Sequence, residues 1–501
     1  MRENTSRRRF IGWLAMTAAA STGWPASSAL AATDPGPAIT VLRNVTVIDG
    51  RGGPPRPDMT IVLAGDRIAW VGNRISVPIP ADATTVDLRG KHVIAGLWDM
   101  HAHTELDKLD LYLPLFLANG VTGIREMWGT PDRFELRRKL ETGEVAGPRM
   151  VLAGNIIDVP ESFVGAFPIR TVTSPADAGE AVRESRREGA DLVKVYSFLT
   201  RPLYGAIAAE ARRQGLPFAG HLPEHVSLWD AAELGQRSVE HLFGTFFATS
   251  GHEAAIRRLI DTTAIPDKGG AYPWFLWVRE LERQAVAGYD PRRANRLFAG
   301  MARRGTWQSP TLTNLRVGSS PADTFRGDWR LKYLPPGTEE YWQSDLGAPA
   351  TPEAIAQQRE YFQARLRVVG EMSRAGVGVL AGTDSNQAYV FPGFGLHDEL
   401  ALLVEAGLTP MQALRSATVE AARYLGREHD MGTVTAGKVA DLVVLDADPL
   451  RDIRNTRKIH AVVTKGRFIS HTEREAMLTA VEAAARTHPR PPAAAMRARC
   501  C

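Results

Sequence analysis

Cysteine is almost absent from this chain. The 501 residues hold two, Cys500 and Cys501, at the very end. A core disulfide and a thiolate metal site are both excluded, so any metal must be held by histidine, carboxylate or a less usual ligand. Excess charge of one sign is missing as well. The formal net charge is +4, but residues 1–31 carry four arginines and one glutamate. Without them the balance falls to +1, and a nucleic-acid partner has no electrostatic footing. Long apolar runs are lacking too. The Ala-rich stretch after Phe10 is broken by Ser, Gly and Pro25, so stable membrane insertion is not expected.

What the N-terminus does have is a run of Arg7, Arg8 and Arg9 between Ser6 and Phe10, then Ala29 and Ala31 at A-x-A spacing. This looks like a twin-arginine export signal cut after Ala31. It makes the twin-arginine export machinery a partner and places the mature chain in the periplasm or outside the cell. That route carries folded, often cofactor-loaded proteins, which is indirect support for a metal.

The remainder is ordinary globular composition, 44% apolar and 23% charged, enough for one large domain and a smaller one. Helix-like segments repeatedly end in glycine and are followed by short apolar runs, at Gly120, Gly189, Gly215, Gly235, Gly305 and Gly376. With "KHVIAGLWDMHAH" and "PRMVLAGNIID" these give eight strands alternating with helices. The pattern predicts an α/β fold, a (β/α)8 TIM barrel over 93–427. A doubly wound sheet is disfavoured, because no glycine-rich dinucleotide fingerprint follows the first strand. The flanks, 32–92 and 428–472, alternate polar and apolar residues between Gly- and Asp-rich turns, and predict one small β-sandwich built from both ends of the chain. Residues 473–501 read as a C-terminal helix and a mobile tail. Two inserts interrupt the barrel: 245–305, which carries no motif, and a later one with "DWRLKYLPPGTEEYW", whose aromatics either cover the mouth or pack outside.

In such a barrel the chemistry sits at the C-terminal ends of the strands. Those positions hold His101 and His103 on the first strand and Lys194 on the fourth. His221 lies on the fifth, His241 on the sixth and Asp384 on the eighth. A single buried histidine is usually a satisfied core residue. Four histidines, a lysine and an aspartate at one end of one barrel are harder to dismiss. Residues i and i+2 share a strand face, roughly 7 Å apart, so His101 and His103 can reach one ion. A buried ammonium among metal ligands is costly. Lys194 makes better sense as an amine that has captured carbon dioxide, giving an anionic carbamate.

Together these residues resemble the binuclear amidohydrolase superfamily, over nearly the whole mature chain. "GLHDELALLVEAGLTPMQALRSATVEAARYLG" and "GTVTAGKVADLVVLDADPL" resemble its imidazolonepropionase-like and prolidase-type dipeptidase branch. The resemblance implies two divalent metal ions, zinc first among zinc, iron, cobalt and manganese. His101, His103 and Asp384 would hold one, and His221 and His241 the other. Carboxylated Lys194 and a hydroxide would bridge them. Asp384 would be the catalytic proton carrier. The implied activity is hydrolysis of an amide bond in a small substrate such as a dipeptide or N-acyl amino acid.

Three substrate contacts are suggested. Tyr196 shares the face of Lys194, and either donates to substrate or is a barrel-core tyrosine. Arg125 ends the second strand and either meets a substrate carboxylate or pairs with a neighbouring acid; Glu126 follows it where related chains often show Asp. His397 follows the eighth strand and is placed at the mouth. Glu224, three residues after His221, is the feature a mononuclear deaminase would use as proton shuttle, leaving Lys194 without a metal role. His225 falls outside the ligand shell. Deaminase or cyclic-amide hydrolase, phosphotriester or lactone hydrolase, and non-catalytic binding protein are the alternatives. A homo-oligomer is compatible with the sequence and nothing in it speaks further to assembly.

Overall fold

The computed structural model describes residues 38–73, 79–162, 168–266, 270–346 and 351–491. The arginine run Arg7–Arg9, the A-x-A residues Ala29 and Ala31, and both cysteines lie outside them. Among the described residues no helix is long and apolar enough to cross a membrane.

Seven parallel strands follow one another around the barrel: Leu97–Ala102, Val121–Glu126, Arg149–Asp158, Leu192–Val195, Phe218–Gly220, Ser238–Glu240 and Trp307–Ser309. An eighth segment closes the ring. Its Leu380 amide donates to Gln308 O of the seventh strand at 2.9 Å, and its Ala381 carbonyl accepts from Met100 N of the first at 2.8 Å. The first two strands are buried along their whole length, as expected of parallel strands covered on both faces. The six glycines read as helix stops all have φ between 66° and 88°, the left-handed region that glycine enters without steric cost.

The base of the barrel is filled by Trp98, Met100, Leu192, Trp307, Leu380 and Tyr424. Two glycines make room for the indoles. A Cβ on Gly123 would lie 2.1 Å from the Trp98 ring, and one on Gly378 2.1 Å from the Trp307 ring.

Both flanks enter a single eight-stranded sheet. His92–Ala95 runs parallel beside Ile39–Val47 and antiparallel to Leu442–Leu445, so it joins the two ends of the chain. The barrel therefore begins at Leu97 and not at residue 93: backbone pairing assigns the apolar run "HVIA" to the flank. Leu42, Ile61, Val93, Leu442, Val444 and Ala461 form that sheet's own core. The C-terminal helix His471–Thr487 starts with a capping box between Ser470 and Glu473. Arg474 Nε of this helix donates to Ala118 O at 2.6 Å, tying it to the barrel.

The aromatic insert folds onto the segment that follows the eighth strand. Trp342 is buried against Tyr389 and Phe391, with ring centroids 5.1 and 5.5 Å away. Tyr333 stacks on Phe394 at 5.6 Å, while Trp329 stays exposed.

Candidate metal centre

The site is assembled where the strands end. His101 lies within the first strand and His103 just after it, and both imidazoles turn to Asp384. Their Nε2 atoms are 3.5 and 3.3 Å from its Oδ1. Donor atoms of these three side chains lie within 4.8 Å of one another, the one such trio among the described residues. Asp384 is held in place by a left-handed backbone, φ 62°, an unusual state for a non-glycine residue. Its amide donates to His101 O at 2.7 Å, and Asn314 Nδ2 donates to its Oδ2 at 2.8 Å.

Carboxylates stand behind both imidazoles. His101 Nδ1 donates to Glu240 Oε2 at 2.8 Å, which leaves Nε2 with a free lone pair. Burial alone would raise the Glu240 carboxyl, but Arg125 and the His101 bond outweigh it and hold it well below the usual range. His103 Nδ1 is 3.4 Å from Glu126 Oε1. Burial opposes the Glu126 charge, and Arg133 and His103 together lower its pKa. Asp99 accepts from Thr383 Oγ1 at 2.6 Å, Thr383 N at 3.0 Å and His101 N at 3.2 Å, pinning the first strand to the eighth. Even so, burial pushes the Asp99 carboxyl up to about 7.

The other half of the cluster has neutral supports. His221 Nδ1 shares a 2.7 Å hydrogen bond with Ser197 Oγ, and His241 Nδ1 a 2.7 Å bond with Thr311 Oγ1. The two rings lie 5.0 Å apart, and His241 is 4.7 Å from His101. Lys194 is fully buried, and its Nζ has no hydrogen-bond partner among the described residues. Its charge acts on three imidazoles at once. Burial is the first cause that depresses His101, to about 4, and the Lys194 ammonium is the second. Burial and Lys194 likewise lower His221, and both contribute to bringing His241 down to about 3. Three imidazoles held neutral, a fourth at His103, an ionised carboxylate and an uncompensated amine thus converge.

This donor set fits divalent cations. His101, His103 and Asp384 offer two lone-pair nitrogens and an ionised oxygen within reach of one ion, a nitrogen and oxygen set without thiolate. Among the described residues, Asp384 Oδ1 and His101 Nε2 are buried and lack a hydrogen-bond partner, as expected of atoms reserved for a cation.

A profile of the amidohydrolase family matches residues 92–469. The chain belongs to the amidohydrolase family. This amidohydrolase is 25% identical to the imidazolonepropionase of Streptomyces griseus over 398 residues, 78% of this chain and 86% of that one. It is 21% identical to the adenine deaminase of Rubrobacter xylanophilus over 456 residues, 89% of this chain and 61% of the relative. Among solved structures, bottromycin amidohydrolase superposes with a TM-score of 0.69 at 25% identity, covering 89% of this chain and 90% of that one. A Xaa-Pro dipeptidase with bound methionine shares the fold, with a TM-score of 0.62 at 20% identity, covering 86% and 100%. The amidohydrolase is accordingly a hydrolase of carbon–nitrogen bonds, of a family that uses divalent metals.

Two of the expected substrate contacts fail in this amidohydrolase. Arg125 is fully buried beneath the site, and its donors are taken up by protein. Nη2 donates to both Glu240 oxygens at 2.9–3.0 Å, Nη1 to Tyr424 Oη at 2.8 Å and Ser238 Oγ at 2.9 Å, and Nε to Met100 O at 2.5 Å. It pairs with a neighbouring acid and cannot reach the mouth. His397 is buried in the helix Phe394–Glu405, with Nδ1 3.0 Å from Thr456 Oγ1 and Nε2 3.0 Å from Asn119 O. Both of its nitrogens are used in packing this helix onto its neighbours. Tyr196 is buried but stacks on His221, centroids 4.1 Å apart. Glu224 is buried in an ion pair with Arg279 of the insert helix Ala271–Ala285. His225 pairs with Asp261 at 3.0 Å.

Sequence reasoning missed Glu240, Glu126, Asp99, Ser197, Thr311 and Asn314. Asp99 had a signal, since it lies two residues before His101 and so on the same strand face. Thr311 and Asn314 lie just after the seventh strand, where the sequence offers no ligand-like pattern.

Proposed function

We propose that this amidohydrolase cleaves a linear amide bond in a small carboxylate-bearing substrate, a dipeptide or N-acyl amino acid, with two divalent metals, zinc foremost. It acts after twin-arginine export to the periplasm or beyond. The observation that carries the reading is the Lys194 amine, buried without a hydrogen-bond partner among His101, His221 and His241. Capture of carbon dioxide at Nζ, the ammonium giving up two protons, would turn this electrostatic liability into an anionic oxygen donor between the two halves of the site. His101, His103 and Asp384 would hold one ion, and His221 and His241 the other, with the Lys194 carbamate between them. Bound divalent metals acidify water and polarise a carbonyl.

The side chains supply the rest. Glu240 and Glu126 fix the ring orientation of His101 and His103. Asp384 takes a proton from the attacking water and hands it to the leaving amine nitrogen. Tyr196, stacked on His221, would donate to the substrate carbonyl or carboxylate.

The mononuclear deaminase reading needs Glu224 as a proton shuttle, and that carboxylate is tied through its Oε2 to Arg279 of the insert. Cyclic-amide hydrolysis stays as the second reading, because the imidazolonepropionase relative aligns over most of both chains. The test is metal analysis of the mature enzyme with a screen of dipeptides, N-acyl amino acids, cyclic amides, lactones and phosphotriesters. About two ions per chain and turnover of linear amides are expected. Turnover confined to lactones or phosphotriesters overturns the assignment.

A further inference from the structure

At the end of the barrel away from the metal centre lies a cavity of about 480 Å³, between the starts of the seventh and eighth strands. That is within the size range of small-molecule sites, roughly 300–1,000 Å³. Its walls include Arg237, Trp307, Arg415, Glu420 and Arg423. Cationic charge is in surplus there. Arg415 and Arg423 share Glu420, at 2.8 and 2.7 Å, and Arg423 also comes within 3.9 Å of the exposed Glu428. Arg237 has no carboxylate within 4.0 Å among the described residues. It lies over the Tyr424 and Trp307 rings, 5.3 and 5.8 Å from their centroids, and reaches only Gly305 O and Tyr424 O, both at 3.4 Å. Such long bonds leave its donors short of good acceptors. Nothing in the proposed hydrolytic mechanism uses these residues.

We propose that this cavity binds the phosphate group of a small molecule. Guanidinium forks match phosphate oxygens bidentately, and a phosphate monoester brings about −1.5 to −2 charges to a wall whose arginines outnumber its carboxylates. A single carboxylate would neutralise less of the surplus. An occupant also sits within reach of the hydrogen-bonded column that climbs the barrel. Tyr424, under Arg237, bonds Arg125, which holds Glu240, which holds His101.

The test is isothermal titration of the full chain with inorganic phosphate and, separately, acetate. Chelator treatment together with Asp384→Asn removes phosphate bound at the metal centre from consideration. Saturable phosphate binding that survives in Asp384→Asn and weakens roughly tenfold or more in Arg237→Met supports the site. Arg423→Gln alters a half-exposed side chain and keeps the test valid if Arg237→Met does not fold; it should weaken phosphate several-fold. Phosphate binding lost in Asp384→Asn but kept in both arginine variants overturns the proposal. So does acetate binding as tightly as phosphate, or no phosphate binding to wild type.

Discussion

The two halves of the metal centre are built from the same imidazole but supported differently. His101 and His103 are backed by the buried carboxylates Glu240 and Glu126, and they share an ionised Asp384. His221 and His241 are backed by hydroxyls, Ser197 and Thr311. One half sets buried carboxylates behind its imidazoles and the other sets hydroxyls there, and under the proposed function a Lys194 carbamate would add negative charge between them. A carboxylate behind an imidazole raises its basicity as a ligand more than a hydroxyl does, so the first half should hold its ion more tightly and without help.

The largest effect tests the stronger half. Asp384→Asn should cut turnover by roughly 10²–10⁴-fold, the range for a lost proton carrier, and lower metal content as well. Retained turnover in a well-folded variant would remove Asp384 from the chemistry. Lys194→Ala comes next and discriminates between the halves. It should keep about one ion, on the self-sufficient side, and lose the other with most activity. Two ions and wild-type turnover in that variant would end the carbamate role.

Glu240→Gln keeps the shape behind His101 but removes the charge. Metal affinity should fall by about 10–100-fold, with a smaller loss for Thr311→Val behind His241. If Thr311→Val costs more, the proposed ranking of the halves is reversed. The smallest effect concerns a histidine outside both halves. Burial first, and then nearby arginines, bring His397 down to about 4 despite the bond to Asn119 O. Between its unfolded value near 6.5 and about 4, the unfolded chain binds more protons, so stability from this group is lost as pH falls through that window. Thermal unfolding of His397→Gln should therefore be less sensitive to acid than wild type. An identical pH slope would show that His397 contributes nothing to it.

Much of the barrel was legible because its signals are local. A left-handed glycine after each helix and an apolar run after each glycine follow from backbone sterics and burial, and the same residues appear at those turns in the fold. The boundary at residue 93 was misplaced because "HVIA" and "LWDMHA" are both apolar runs, and only pairing separates a flank strand from a barrel strand. The sequence leaves Arg125 open between substrate and a neighbouring acid, and misassigns His397, for a related reason. Position at a strand end gives a residue's height in the barrel, but not whether its polar atoms are already satisfied.

The sequence by itself determined the ligand types and their level in the fold. With cysteine confined to the last two positions, the choice fell on histidine, lysine and aspartate, and strand periodicity put them at one end. Tertiary structure alone decided the electrostatics. His101 and Glu240 are 139 residues apart, and Arg125 and Glu240 are 115 apart, so no local pattern couples them. They meet because ring closure brings the first, second and sixth strands around one dry interior. There an unpaired charge is costly, and Glu240 finds both of its charged neighbours, Arg125 and His101, across the barrel.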